Sequence, residues 1–279
     1  MLTHDTLLFI YEMSGDPGAE LPTPPGSFVG LWNEDEFSYL FFTEPEDRYV
    51  EHLCGVRGST LNSRHEMAYG DWQAGLPQGG LTIAGVSFVS PDHPCPGPDS
   101  ILLDPSVVFG DGAHPTTLAC IRAMRLAVDA GFVSGLLDLG TGSGILALAG
   151  ARMGIPHIIA VDKNRLAVET ASGNVRRNSL DSVIQVFSGE AGWFVDGPYD
   201  LVAANLPYQV LRDLAVLRGA DRHACWIISG INSEQALVLE GLFQDQGYRK
   251  ALLFRDPPWV TFAMVSKTLP ITLSDDGIA

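Results

Sequence analysis

The stretch Leu136–Gly144, read LLDLGTGSG, constrains this chain more than any other. Leu136, Leu137, Asp138 and Leu139 make a short apolar run with one acid set into it, and glycines follow at 140, 142 and 144. Good helix formers continue through Ile145–Ala151. A buried strand, a tight turn and a helix are the expected reading, the opening of a βαβ unit. Glycine permits the sharp turn and lets a ligand lie on bare backbone, because no Cβ stands in the way. A glycine-rich turn that binds nothing has the same composition.

Spacing narrows the ligand. A dinucleotide fingerprint asks for G-x-G-x-x-G, but the sixth position counted from Gly140 is Ile145, and the third glycine comes one residue early. G-x-G-x-G with an acid two residues before the first glycine resembles motif I of the class I S-adenosylmethionine methyltransferases. S-adenosylmethionine carries no phosphate, so the helix N-terminus is not needed as an anion cradle.

Composition limits the partners. The 279 residues suit one large domain or two smaller ones, 46% of them hydrophobic and 18% charged, as in a globular protein. The net charge is −16, with only 17 Lys and Arg and no basic run, so long nucleic acid is an unfavourable substrate and a basic protein an attractive one. Cys54, Cys95, Cys120 and Cys225 are widely spaced and the seven His residues are scattered. Reduced thiols and no metal site are expected. Neither a signal peptide nor an apolar run long enough for a membrane span is apparent, which points to the cytoplasm.

Along the chain, Thr6–Tyr11, Phe37–Thr43 and Leu81–Val89 read as strands and Pro45–Cys54 as a short helix, with a Pro/Gly-rich loop at Asp16–Ser27. Residues 1–90 thus read as a small N-terminal α+β domain. Prolines and a glycine crowd residues 91–100, a linker. From 101 to 267 strands and helices alternate. Strands are expected at Leu136–Leu139, His157–Val161, Val183–Phe187, Leu201–Ala204 and Ala224–Ser229. Helices are expected from the Phe109–Thr117 loop to about Ala130, and at Ile145–Met153, Arg165–Asn178, Gln209–Arg218 and Ser233–Gln246, the last capped by Asn232 or Ser233. Two closing strands, Tyr248–Arg255 and Trp259–Ser266, are joined too tightly to be parallel. The expected fold is α/β: a doubly wound, mostly parallel seven-stranded sheet ending in an antiparallel hairpin, similar to the class I methyltransferase fold. Residues 268–279 form an acidic tail.

In such sheets the ligand sits outside the carboxyl ends of the strands. The first strand supplies Asp138, Gly140, Thr141, Gly142 and Gly144. The second ends in Asp162 and Lys163, where the acid can accept hydrogen bonds from both ribose hydroxyls or cap the next helix. The third ends in Ser188-Gly189-Glu190, with Glu190 a candidate for the adenine amino group and Ala191 offering only backbone. The fourth ends in Asn205-Leu206-Pro207-Tyr208. Methyl transfer from a sulfonium is an in-line displacement in which a lone pair is held against the methyl carbon, so positioning supplies much of the catalysis. The Asn205 side-chain oxygen and the Leu206 carbonyl can accept two N–H groups of an amine and aim its lone pair. N-L-P-Y resembles the N/D-P-P-Y motif of methyltransferases acting on amide or exocyclic nitrogens, in which Tyr208 would stack on a planar group. Asn205 capping the next helix, with Tyr208 merely packing, is the competing reading.

A longer resemblance covers Asp71–Lys267. ILLDPSVVFGDGAHPTT is similar to the signature of the ribosomal protein L-eleven methyltransferases (PrmA family), usually LDPG-x-AFGTG-x-HPTT. It continues through DLGTGSGILAL, AVDKN, the Asn of AANL, IISGI and PWVTFAMVSK. The resemblance implies an enzyme that methylates lysine or N-terminal amines of a ribosomal protein, with an N-terminal domain holding that substrate. By position, Phe109, Thr116 or Thr117, Gly140, Asp162 and Asn205 would contact the cofactor or the amine, while His114 and Pro115 shape the loop. Asp111 stands where the family usually has Thr, Thr141 where it has Cys, and Leu206-Pro207-Tyr208 where an Ile-Leu-type run is usual. An amide or small-molecule N-methyltransferase, a non-catalytic S-adenosylmethionine-binding protein and a nucleotide-dependent oxidoreductase are the alternatives.

Overall fold

The structure is a computed structural model that describes residues 2–15, 21–34, 37–72, 76–77, 79–92 and 97–273. Parts of the Pro/Gly-rich loop, the 91–100 linker and the acidic tail, and Cys95, lie outside them. In chain order the elements are β1 (Leu7–Ser14), β2 (Phe28–Glu34), β3 (Phe37–Phe42), α1 (Asp47–Arg57), β4 (Thr60–Ala68), α2 (Tyr69–Trp72), β5 (Leu81–Ile83), β6 (Val86–Val89), β7 (Ile101–Leu102), α3 (Pro115–Asp129), β8 (Gly135–Leu139), α4 (Ile145–Arg152), β9 (His157–Asp162), α5 (Arg165–Arg177), β10 (Ile184–Ser188), β11 (Leu201–Asn205), α6 (Tyr208–Ala215), β12 (Cys225–Ile231), α7 (Ser233–Asp245), β13 (Tyr248–Asp256) and β14 (Trp259–Ser266).

Seven strands form one sheet in the order β10-β9-β8-β11-β12-β14-β13. β10, β9, β8, β11 and β12 run parallel; β14 pairs antiparallel with β12, and also with β13, to which the short Pro257-Pro258 connection joins it. β8 is buried along its whole length, and its alternation feeds two cores. Leu136 packs with Cys120, Ala147 and Val175 of α3, α4 and α5, whereas Leu137 and Leu139 pack with Leu211, Leu239 and Phe243 of α6 and α7. The chain leaves β8 toward β9 on one side and returns at β11 on the other. Strand order therefore reverses at the glycine loop, where a doubly wound sheet opens its ligand crevice.

The N-terminal sheet has the order β2-β3-β1-β4 and is antiparallel throughout. One face packs on Val50 and Leu53 of α1; from the other, Leu8, Ile10 and Phe41 cluster with Val107, Val108, Leu166 and Ala167. Two side chains fasten this unit to the segment before the Phe109 loop. Tyr69 Oη donates to the Ser106 carbonyl at 2.5 Å, and Trp72 Nε1 to that of Val107 at 3.0 Å.

The stretch read as one strand, Leu81–Val89, is a hairpin of β5 and β6 instead. Ala84 and Gly85 both take positive φ, 47° and 78°, and reverse the chain. β6 pairs in parallel with β7, so the 91–100 segment connects two strands of one small sheet. The helix expected at Pro45–Cys54 starts and ends later, closing on Gly58 at φ 68°.

Candidate active site

The glycine loop binds itself. The Gly140 and Thr141 amides donate to the Val161 carbonyl at 2.9 and 3.0 Å, Ser143 N to the Phe109 carbonyl at 3.0 Å and Gly144 N to the Thr141 carbonyl at 2.8 Å. Gly142 N donates to Asp162 Oδ2 at 3.0 Å. Every amide from 140 to 144 is engaged within the protein. No phosphate cradle remains, which is the structural counterpart of the missing third glycine of a dinucleotide loop.

Two buried acids support the loop. Asp138 Oδ2 accepts from Thr141 Oγ1 at 2.6 Å and from the Ala147 amide at 3.1 Å, tying the turn to α4. Burial pushes its pKa up to about 7, with the Asp162 charge adding to the rise and the two hydrogen bonds opposing it. Its second oxygen, Oδ1, is buried without a hydrogen-bond partner among the described residues. Asp162 Oδ1 accepts from the Asn164 amide at 2.9 Å. Burial raises its pKa too, against hydrogen bonds from Asn164 and Gly142 and the nearby Lys163 charge. Asp162 does not cap α5; Asn164 does, accepting from Leu166 N at 2.9 Å.

The Phe109–Thr117 loop lies on the glycine turn. A Cβ at Gly142 (φ +55°) would stand 2.4 Å from the Phe109 carbonyl oxygen, so glycine is required there. Ser143 Oγ adds a 2.6 Å bond to the Gly110 carbonyl. The Phe109 ring is half exposed and meets His114 edge-on at 5.3 Å; His114 also meets Trp259 edge-on, at 5.2 Å. At Gly140 the close neighbour is the Leu206 side chain, so the ends of β8 and β11 touch.

At the end of β11, Asn205 Nδ2 donates to Thr116 Oγ1 at 3.0 Å. The N-cap of α6 is Pro207, so Asn205 is not a helix cap. Its Oδ1 and the Leu206 carbonyl oxygen flank Gly230, lying 3.1 and 2.7 Å from the point where that glycine's Cβ would be. Two carbonyl-type acceptors on one small patch match the demands of a two-hydrogen donor. Gly230, at φ +87°, was not singled out from the sequence; a glycine one position after Ser229 in IISGI was the available signal.

The remaining candidates spread along the strand ends. Thr116 joins the Asn205 group, whereas the Thr117 hydroxyl is buried without a partner among the described residues. Lys163 and Glu190 are exposed and line, with Ser188, an open cleft of about 1220 Å³ whose opposite wall is β2. Ala191 starts a short 3₁₀ turn, and Tyr208 packs partly into the α6–α7 core. Gly144, at φ +86°, sits 3.2 Å from the Ala171 Cβ by the same measure and lets α5 close on the loop.

Comparison with known proteins adds to this geometry. A family model described as ribosomal protein L11 methyltransferase (PrmA) matches residues 89–267. Proteins named ribosomal protein L11 methyltransferase from Bacillus cereus and Bacillus anthracis are 35% and 36% identical over 164 residues, 57% of this chain and 51% of each relative. The chain thus spans about half the length of these curated relatives. The crystal structure of a ribosomal protein L11 methylase from Lactobacillus delbrueckii subsp. bulgaricus superposes with a TM-score of 0.57 at 26% identity, over 65% of this chain and 95% of that one.

Proposed function

The chain belongs to the ribosomal protein L11 methyltransferase (PrmA) family, and from that premise we propose that it transfers a methyl group from S-adenosylmethionine to an amine nitrogen of a ribosomal protein. The observation that carries this reading is the pairing of two different strand ends. One offers a phosphate-free glycine turn with carboxylates at 138 and 162, and the other offers two adjacent oxygens at Asn205 and Leu206.

The donor set fits S-adenosylmethionine. A sulfonium cation is favoured beside buried carboxylates, and ribose hydroxyls are donors that Asp162 can accept. Phe109, Thr117, Lys163, Glu190 and Ala191 would complete the wall on which the donor lies, whereas Thr116, bonded to Asn205, belongs with the acceptor group. When bound, the donor supplies an electrophilic methyl carbon. The chain's own contribution is to hold the acceptor: Asn205 Oδ1 and the Leu206 carbonyl take two N–H groups of a neutral amine, leaving its lone pair directed at that carbon. A strongly acidic chain attracts a basic protein to the cleft. The N-terminal sheet, whose β2 lines the cleft beside Glu190, would hold that partner.

Incubating the purified chain with tritiated S-adenosylmethionine and a ribosomal protein extract tests this. Label in one basic ribosomal protein is the expected result. Label confined to small molecules would move the acceptor to another class, and cofactor binding without label would make the chain a binder.

A further inference from the structure

His114 caps α3 in an unusual way. Its Nδ1 accepts from the Thr116 amide at 3.3 Å and lies 2.7 Å from Thr116 Oγ1. A ring nitrogen that receives a backbone N–H carries a lone pair, so the ring proton sits on Nε2 and the Thr116 hydroxyl donates to Nδ1. With its hydrogen so committed, the Thr116 oxygen can only accept from Asn205, whose Nδ2 donates to it at 3.0 Å. Three side chains from the 109–117 loop, α3 and β11 therefore form a chain with one direction: Asn205 N–H to Thr116 oxygen, Thr116 O–H to His114 nitrogen.

We propose that His114 is a positioning residue for methyl transfer: its unprotonated Nδ1 sets the direction of this chain, which turns the Asn205 oxygen toward the acceptor amine. The inference rests on the placement of the amine at Asn205. A proton on Nδ1 reverses the chain. His114 then donates to Thr116 Oγ1, the Thr116 O–H turns toward Asn205, and the amide rotates to accept it. The –NH₂ now faces the amine, where donor meets donor. The surroundings hold the ring in the working form. Burial lowers its pKa below the usual histidine value, against the opposing charges of Asp111 and Asp256. The Phe109 and Trp259 rings both pack against it edge-on. Arg122 of α3 and Arg255 of β13 line the pocket beside Thr116 together with Asp256 and Trp259.

Two measurements on the full chain test the proposal. Nitrogen-15 NMR of the histidine rings should show His114 with a bare Nδ1 at pH 7, a state that needs no turnover to observe. Methylation kinetics should show Thr116→Val lowering kcat by about tenfold or more with the Kd for S-adenosylmethionine unchanged, the size expected for a misaimed acceptor group. Thr116→Ser should restore the rate. His114→Ala should lose rate likewise, and His114→Asn, whose Oδ1 can accept where Nδ1 did, should regain it. Wild-type kcat should fall more steeply at low pH than titration of the amine alone explains, and His114→Asn should lose that extra limb. A protonated Nδ1 at pH 7, an unaffected Thr116→Val variant, or the extra limb persisting in His114→Asn would overturn it. Absence of methyl transfer by the wild type would instead fail the amine placement, leaving the NMR result to judge the chain's direction.

Discussion

The two halves of the site are built on different principles. Around Gly140–Gly144 every backbone amide is engaged, by a carbonyl or by the Asp162 carboxylate, and the Thr141 and Ser143 hydroxyls only add to this, with Asp138 fully enclosed. Around Asn205 the bonding is side chain to side chain, in a line of three residues ending at a ring partly open to solvent. A donor common to many reactions can be held by fixed backbone, whereas an acceptor that differs from enzyme to enzyme is held by groups that substitution can retune. Mutation should therefore damage fold and cofactor binding in the first half, and turnover alone in the second.

The largest effect should come from Gly142→Ala. The positive φ and the 2.4 Å approach to the Phe109 carbonyl leave no room for Cβ, so a loss of about 3 kcal/mol or more in stability, seen as a drop in Tm with failed cofactor binding, is expected. Asn205→Ala should divide the halves most sharply: kcat falls on the order of 10²-fold while the Kd for S-adenosylmethionine stays near wild type. Equal losses in both would merge the halves. Asp162→Ala should do the reverse, weakening cofactor binding by about 1–3 kcal/mol, the penalty for leaving ribose hydroxyls unpaired.

The most selective effect concerns Asp138, because only its pH dependence is read. Its folded pKa, about 7, lies above the ordinary carboxylate value, so the folded state binds the extra proton across that window. Stability should fall as pH rises from about 4 to 7 and then level off. Urea titrations of Asp138→Asn across that range should show the slope flattened; an unchanged slope would place its origin elsewhere.

The seven-stranded sheet was legible because its inner strands are continuous apolar runs ending in turn residues, as at LLDLG and LVAAN. β2 and β4 were not read as strands. β4, TLNSRHEMA, is an edge strand largely exposed along its length, so no apolar alternation marks it; its ladder with β1 holds it. β2 hides behind Gly30, which is small because Leu166 packs onto it. In the site, single residues at strand ends could be picked out because topology says where to look. Their partners could not. Thr116 and Thr117 are equivalent in sequence and only the turn of α3 aims the first at Asn205. His114 owes its role to a bond with Thr116 and to rings at 109 and 259, and the second ring is far away in the chain.

Titration calorimetry of the intact chain with S-adenosylmethionine and, separately, with NAD tests the central claim most directly. A turn whose amides are all engaged, with acids at 138 and 162 beside it, should bind the sulfonium compound, lose affinity in Asp162→Ala and give no heat with NAD. Saturable NAD binding, with none for S-adenosylmethionine, would contradict the account.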